Sequence, residues 1–134
     1  MSDAKLIEAC RALAPGTAIT AAGVFQPRGT QGAMLLGPLG AFAGSFLARS
    51  ENVPRYAVLA VTPDEVLMFR AESMSLGWRP AELVGRFPRN DTTIAPANGV
   101  LVRKLKLTHD GQSAALESPR IGPWHSAGVF AALR

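Results

Sequence analysis

The chain has 134 residues, 48% of them hydrophobic and 18% charged, which excludes a disordered polar tail and suits one domain with a sizeable core. A single cysteine, Cys10, and two histidines, His109 and His125, exclude an internal disulfide framework and a cysteine-rich metal cluster, and leave little for a histidine-based site. The net charge of +4 sits in the second part of the chain: residues 1–85 carry seven basic and seven acidic side chains, residues 86–134 seven and three. No run of like charge forms a basic tail, so the bias attracts anionic lipid or nucleic acid only weakly.

Residues 2–14 read as a helix. Ser2 and Asp3 are N-cap candidates, Leu6, Ile7, Cys10 and Leu13 make one apolar stripe, and Pro15-Gly16 ends it. Cys10 lies on the stripe and reads as a small buried hydrophobe rather than a reactive thiol. Thr17 to Phe25 read as a strand, with Thr17, Ile19, Ala21 and Phe25 on one face, broken by Gln26-Pro27-Arg28-Gly29.

From Gly29 to Ala48 there is no charge. This segment holds Gly29, Gly32, Gly37, Gly40 and Gly44, with Pro38 between them and Leu36, Leu39, Phe42 and Phe46 as large apolar side chains. A structureless stretch of this length inside a compact domain is unusual and often functional. Ala33, Gly37 and Ala41, then Gly40, Gly44 and Ala48, recur every four residues, a spacing that lets two helices approach closely. As a helix, Ala33–Ala48 spans about 24 Å, short of a bilayer core of about 30 Å. Three readings stay open: a helix covering the core, a contact with a second copy, or a dip into a membrane surface. Membrane-surface helices usually carry Lys or Arg on a polar face, and the missing charge favours protein contact over lipid.

Tyr56 to Val61, apolar on both faces, reads as a central covered strand, and Pro63-Asp64 turns it back into Glu65–Ala71 as a hairpin. Glu72–Pro80 read as a loop carrying Trp78, Glu82–Phe87 as a strand, and Asp91–Ala95 as a short edge strand before an Ala97-Asn98-Gly99 turn. Val100–Thr108 read as a strand with Leu101, Leu105 and Leu107 facing inward and Lys104 and Lys106 outward. His109-Asp110-Gly111 turns it into Gln112–Glu117. After a loop at Pro119–Pro123, Trp124–Leu133 read as a closing helix with Ala127, Phe130, Ala131 and Leu133 toward the core.

The sum is an N-terminal helix, about seven strands and a C-terminal helix, an α+β, mostly β class. It resembles the pleckstrin-homology-like (PH-like) fold. Tyr56-Ala57-Val58-Leu59-Ala60-Val61-Thr62-Pro63-Asp64-Glu65-Val66-Leu67-Met68-Phe69 looks like the second hairpin of bacterial members, although Glu65-Val66 stands where an arginine is frequent. Gly23-Val24-Phe25-Gln26-Pro27-Arg28-Gly29-Thr30 is similar to a phrase in small proteins of high-GC, actinobacterial-type bacteria, which carry a Gly-rich insert after it. The resemblance implies one domain over residues 1–134, a barrel of about seven antiparallel strands capped by the C-terminal helix, with the insert at 29–48. Fold alone does not give function.

The sequence holds no Gly-x-Ser-x-Gly elbow, no phosphate loop and no dinucleotide-binding glycine motif. His109-Asp110 reads as turn chemistry rather than a base and its orienter, because adjacent side chains on extended backbone point apart. His125 reads as a half-exposed helical residue, and Trp78 and Trp124 as packing residues, with Trp124 anchoring the last helix. The expectation is a non-enzymatic binding module with no cofactor and no metal. Its partner is protein, including itself, through Leu36, Leu39, Phe42 and Phe46 of the insert. The alternative is a peripheral membrane module, with Arg28, Arg49 and Arg55 on anionic head groups and Phe42 and Phe46 at the acyl boundary. A small-ligand carrier using the barrel interior has the least support. Nucleic acid is disfavoured, because basic residues are not interleaved with exposed aromatics. With no secretory signal pattern in Met1–Lys5 and no apolar stretch of membrane-spanning length, the expected location is the cytoplasm, membrane-peripheral under the alternative.

Overall fold

The computed structural model describes residues 2–27, 56–75, 77–110, 112–122 and 124–133. Helix α1 (Asp3–Leu13) begins where the sequence places it, because the Ser2 side chain accepts the Lys5 N–H at 3.2 Å. Leu6 and Cys10 are buried, Ile7 is half-buried, and Leu13 at the end of the stripe is exposed.

Strand β1 (Ala21–Pro27) starts later than the expected Thr17. Thr17 Oγ1 donates to the Ala14 carbonyl at 2.6 Å and Arg11 Nη2 to the Ile19 carbonyl at 2.8 Å, so this stretch is tied to α1 rather than to a full ladder. As a result Ile19 lies in the core on the α1 side, while Ala21 and Phe25 lie in the core on the other side. At its far end β1 runs through Gln26 and Pro27, which pair with the last strand, so the expected break there is displaced.

The remaining strands are β2 (Ala57–Val61), β3 (Glu65–Met74), β4 (Gly77–Pro88), β5 (Thr93–Asn98), β6 (Val102–His109) and β7 (Gln112–Pro119), followed by helix α2 (Ser126–Ala132). All pairings are antiparallel, and the seven strands lie in the order β4-β3-β2-β1-β7-β6-β5, an open sheet with β4 and β5 at its edges. Both edges carry proline, Pro80 and Pro88 on β4 and Pro96 on β5, which suits strands with one unpaired side.

The period of two along β1–β3 divides the core into two layers. Ala22, Val24, Val58, Ala60, Leu67 and Phe69 face α1, where they meet Leu6, Cys10 and Ile19. Ala21, Phe25, Leu59, Val61, Val66 and Met68 face the other way, toward Phe87, Leu105, Leu107 and Leu116 and toward Val129 and Phe130 of α2. The strand expected to be central and covered is so: β2 lies inside the sheet and four of its five residues are buried. Its turn into β3 is closed by Thr62, whose Oγ1 accepts the Asp64 and Glu65 N–H groups at 3.2 and 2.9 Å.

Three expectations need correction. Residues 72–80, expected as a loop, mostly extend the β3–β4 hairpin, with Trp78 opposite Ser73 inside the ladder. Cross-strand ion pairs of Arg79 with Glu72 (3.2 Å) and Arg70 with Glu82 (3.7 Å) hold this polar arm together. Leu101, expected in the core with Leu105 and Leu107, is 74% exposed, because the β6 ladder begins only at Val102. The last helix starts at Ser126, not Trp124, since His125 takes a left-handed conformation (φ +61°). Its buried face is therefore Ser126, Val129 and Phe130, with Ala127 and Ala131 exposed and Leu133 half-buried.

Candidate functional site

The seven residues expected to make contacts, Arg28, Leu36, Leu39, Phe42, Phe46, Arg49 and Arg55, all lie outside the described residues, as does the whole insert. The structure does fix the ground around it. Phe25 of β1 stands opposite Ala57 of β2 in antiparallel register, so Pro27 and Tyr56 sit at the same end of two neighbouring strands. Tyr56 is held there by its carbonyl, which accepts the Ala71 N–H at 3.1 Å.

Three rings gather at this end of the α1 face. Tyr56 lies 5.2 Å from Trp78 and 5.8 Å from Trp124, and the two indoles are 4.3 Å apart between ring centroids. All three are half-buried and pack on the layer containing Val24, Val58 and Phe69. The expectation that Trp78 and Trp124 serve packing agrees with this contact. Trp124 also accepts the Val24 N–H on its carbonyl at 2.7 Å, which covers the part of β1 that has no β7 partner. The Trp78 Nε1 is buried with no hydrogen-bond partner among the described residues. Sequence reasoning did not bring these rings together, since they come from three distant segments.

The two histidines serve the ends of the fold. His125 Nδ1 bonds Asp3 Oδ1, linking the start of α2 to the first turn of α1. This replaces the expected half-exposed helical position: the residue precedes the helix and its side chain is largely buried. His109 Nδ1 lies 3.0 Å from the Asp91 carbonyl and 3.3 Å from Thr92 Oγ1, while Nε2 lies 3.3 Å from Asp110 Oδ2. The two adjacent side chains do not point apart as expected, because Asp110 takes a left-handed conformation (φ +52°) in the β6–β7 turn. Asp91, His109 and Asp110 thus offer donor atoms within 4.8 Å of one another, with both carboxylates in water. These bonds pin the loop before β5 to the β6–β7 turn. Cys10 is buried, and burial pushes its thiol up to about 12, so it is neither a nucleophile nor a ligand at neutral pH.

A second surface lies at the other end of the β5–β6 hairpin. Val100, Leu101 and Ile121 are 91%, 74% and 83% exposed. Gly99 N–H donates to the Val102 carbonyl at 2.8 Å, and a Cβ on Gly99 would stand 2.7 Å from that same oxygen, so the tight turn requires glycine. Arg120 joins the two loops: its N–H donates to the Leu101 carbonyl at 3.1 Å and its Nη1 to the Gly99 carbonyl at 3.0 Å. The sequence signal for this surface was an apolar pair directly after a turn glycine and an isoleucine in a Pro-flanked loop.

No helix among the described residues is long and apolar enough to cross a membrane. Comparison of the chain with known protein families, curated proteins and solved structures finds no match.

Proposed function

We propose that this chain is a non-enzymatic binding and assembly module with a PH-like barrel, which meets a protein partner or a second copy of itself through residues 29–48. Support for the fold comes from the strand order, in which a β1–β4 meander and a β5–β7 meander join through β1 and β7, and from α2 packing on β1 and β2. The observation that carries the binding reading is the adjacency of Pro27 and Tyr56 at one end of the sheet. The chain leaves the described residues at Pro27 and re-enters them at Tyr56, and the longest uncharged stretch of the sequence, with Leu36, Leu39, Phe42 and Phe46, lies between these two points. Tyr56 belongs to the cluster of three half-buried rings, in which the Trp78 Nε1–H has no partner among the described residues. Charge depletion in the middle and arginine at the margin, here Arg28, Arg49 and Arg55, is the composition of a protein interface.

The test is removal of residues 30–48. Association measured by light scattering or partner capture is lost, while the near-ultraviolet circular dichroism of the Tyr56–Trp78–Trp124 cluster and the melting transition are kept. A deletion variant that stays folded with the same oligomeric mass and the same partners refutes the reading.

A further inference from the structure

We propose that Val100, Leu101 and Ile121 form an apolar tip that inserts into the surface of an anionic lipid bilayer, with Arg120 and Lys104 on the lipid phosphates. Single exposed aliphatic residues are common on any protein. Here three of them, each at least 74% exposed, come from two loops joined by the Arg120 bonds. The turn at Gly99 and those bonds fix the tip in advance, so little order has to be gained on binding.

Charge settles what covers it. The acids of the basic half are Asp91, Asp110 and Glu117. Asp91 and Asp110 gather with His109 at the opposite end of β6, and Thr93 opposite Thr108 places the start of β5 at that end too. Near the tip stand Lys104 on β6, opposite Glu117, and Arg120 after β7, while Arg103 beside them donates from Nη1 to Ser126 Oγ at 3.3 Å at the start of α2. An apolar point with a cationic surround fits a surface that is apolar within and anionic at its rim, which describes a bilayer containing acidic lipids. A second copy fits poorly, since a symmetric contact sets the same cations against each other. The area argues the same way: three aliphatic side chains offer roughly 400 Å², about half of what a partner buries in a stable protein interface.

This surface is independent of the assembly reading. Gln26 pairs with Glu117 and Pro27 with Leu116, so β1 leads toward the start of β7, whereas the tip lies beyond the end of β7 at Pro119.

The experiment is flotation of the full chain with phosphatidylcholine vesicles, with and without a third of phosphatidylserine, at low and high salt. The full chain floats with the anionic vesicles and less at high salt. The combined Val100→Ser, Leu101→Ser and Ile121→Ser variant partitions at least tenfold more weakly, and Arg120→Gln about fivefold. Ile121→Ser alone, outside every helix and strand, gives a loss in the same direction without risk to the fold. The deletion of 30–48 floats like the full chain, which separates this surface from the insert. No flotation of the full chain, or a tip variant that floats undiminished, overturns the proposal. So does a fall in oligomeric mass on replacing the tip, which assigns it to a second copy.

Discussion

Gly23→Ala tests how α2 is seated on the sheet. Gly23 faces the start of α2, and a Cβ built there stands 3.0 Å from three atoms at once: the His125 carbonyl oxygen, the Ser126 Cα and a Val129 methyl. Two of these are backbone, and His125 is itself tied to Asp3, so the helix start cannot yield by a rotamer change alone. Overpacking of this kind costs about 1–3 kcal/mol. Displacing Trp124 also threatens its 2.7 Å bond from the Val24 N–H, a further ~1 kcal/mol. Alanine recovers about 0.5 kcal/mol of backbone entropy relative to glycine within a strand. The balance is a loss of about 1.5–3.5 kcal/mol, read as a lower urea midpoint at unchanged slope. The same variant weakens the Phe25–Phe130 stack, now 6.5 Å between centroids, and alters the near-ultraviolet signal of Trp124. Wild-type stability in Gly23→Ala would refute the claim that β1 and α2 meet through the missing side chain.

Other consequences follow from the core and the chain ends. Cys10 stays unlabelled by a thiol reagent in the native state and reacts only on unfolding; native labelling at the unfolded rate would contradict its burial. Its folded value near 12 lies above the unfolded 9.0, so its contribution to stability is full below pH 9 and is lost as pH rises toward 12, at up to about 1.4 kcal/mol per pH unit. Denaturation of Cys10→Ala across that window shows a correspondingly smaller alkaline slope, and an identical slope would disprove the linkage. Ser118 is fully buried with no partner for its hydroxyl among the described residues, so Ser118→Ala is neutral or raises stability by about 1 kcal/mol; a loss above 1 kcal/mol would reveal an unseen bond. Asp3→Asn removes the charge facing His125 on a largely exposed carboxylate, so the loss stays below about 1 kcal/mol and shrinks in high salt.

Much of the fold was legible where local chemistry and tertiary packing agree. Ser2 and the Leu6–Cys10 spacing mark α1, and the apolar run before Thr62-Pro63-Asp64 marks β2 and its hairpin. The misses have physical reasons. The arm from Glu72 to Pro80 looks like a loop because its strand character rests on cross-strand pairs, Glu72 with Arg79 above all, which one sequence cannot reveal. The apolar face of α2 was placed out of phase because the left-handed His125 shortens the helix and Gly23 sets its rotation. Leu101 continues the alternation of Leu105 and Leu107 by spacing, yet the ladder stops at Val102 and leaves it in water. The composition of 29–48 was legible as unusual, while the ring cluster that includes Tyr56 depends on three segments that only the fold brings together.

The proposed role turns on whether residues 29–48 make the contact. Light-scattering mass of the purified full chain and of the chain lacking 30–48, at matched concentrations and with circular dichroism of both, asks this directly. A full chain that self-associates or holds a partner, beside a folded deletion variant that does neither, is the expected pair of results. Equal masses and equal partners for two folded proteins would place the contact elsewhere on the molecule.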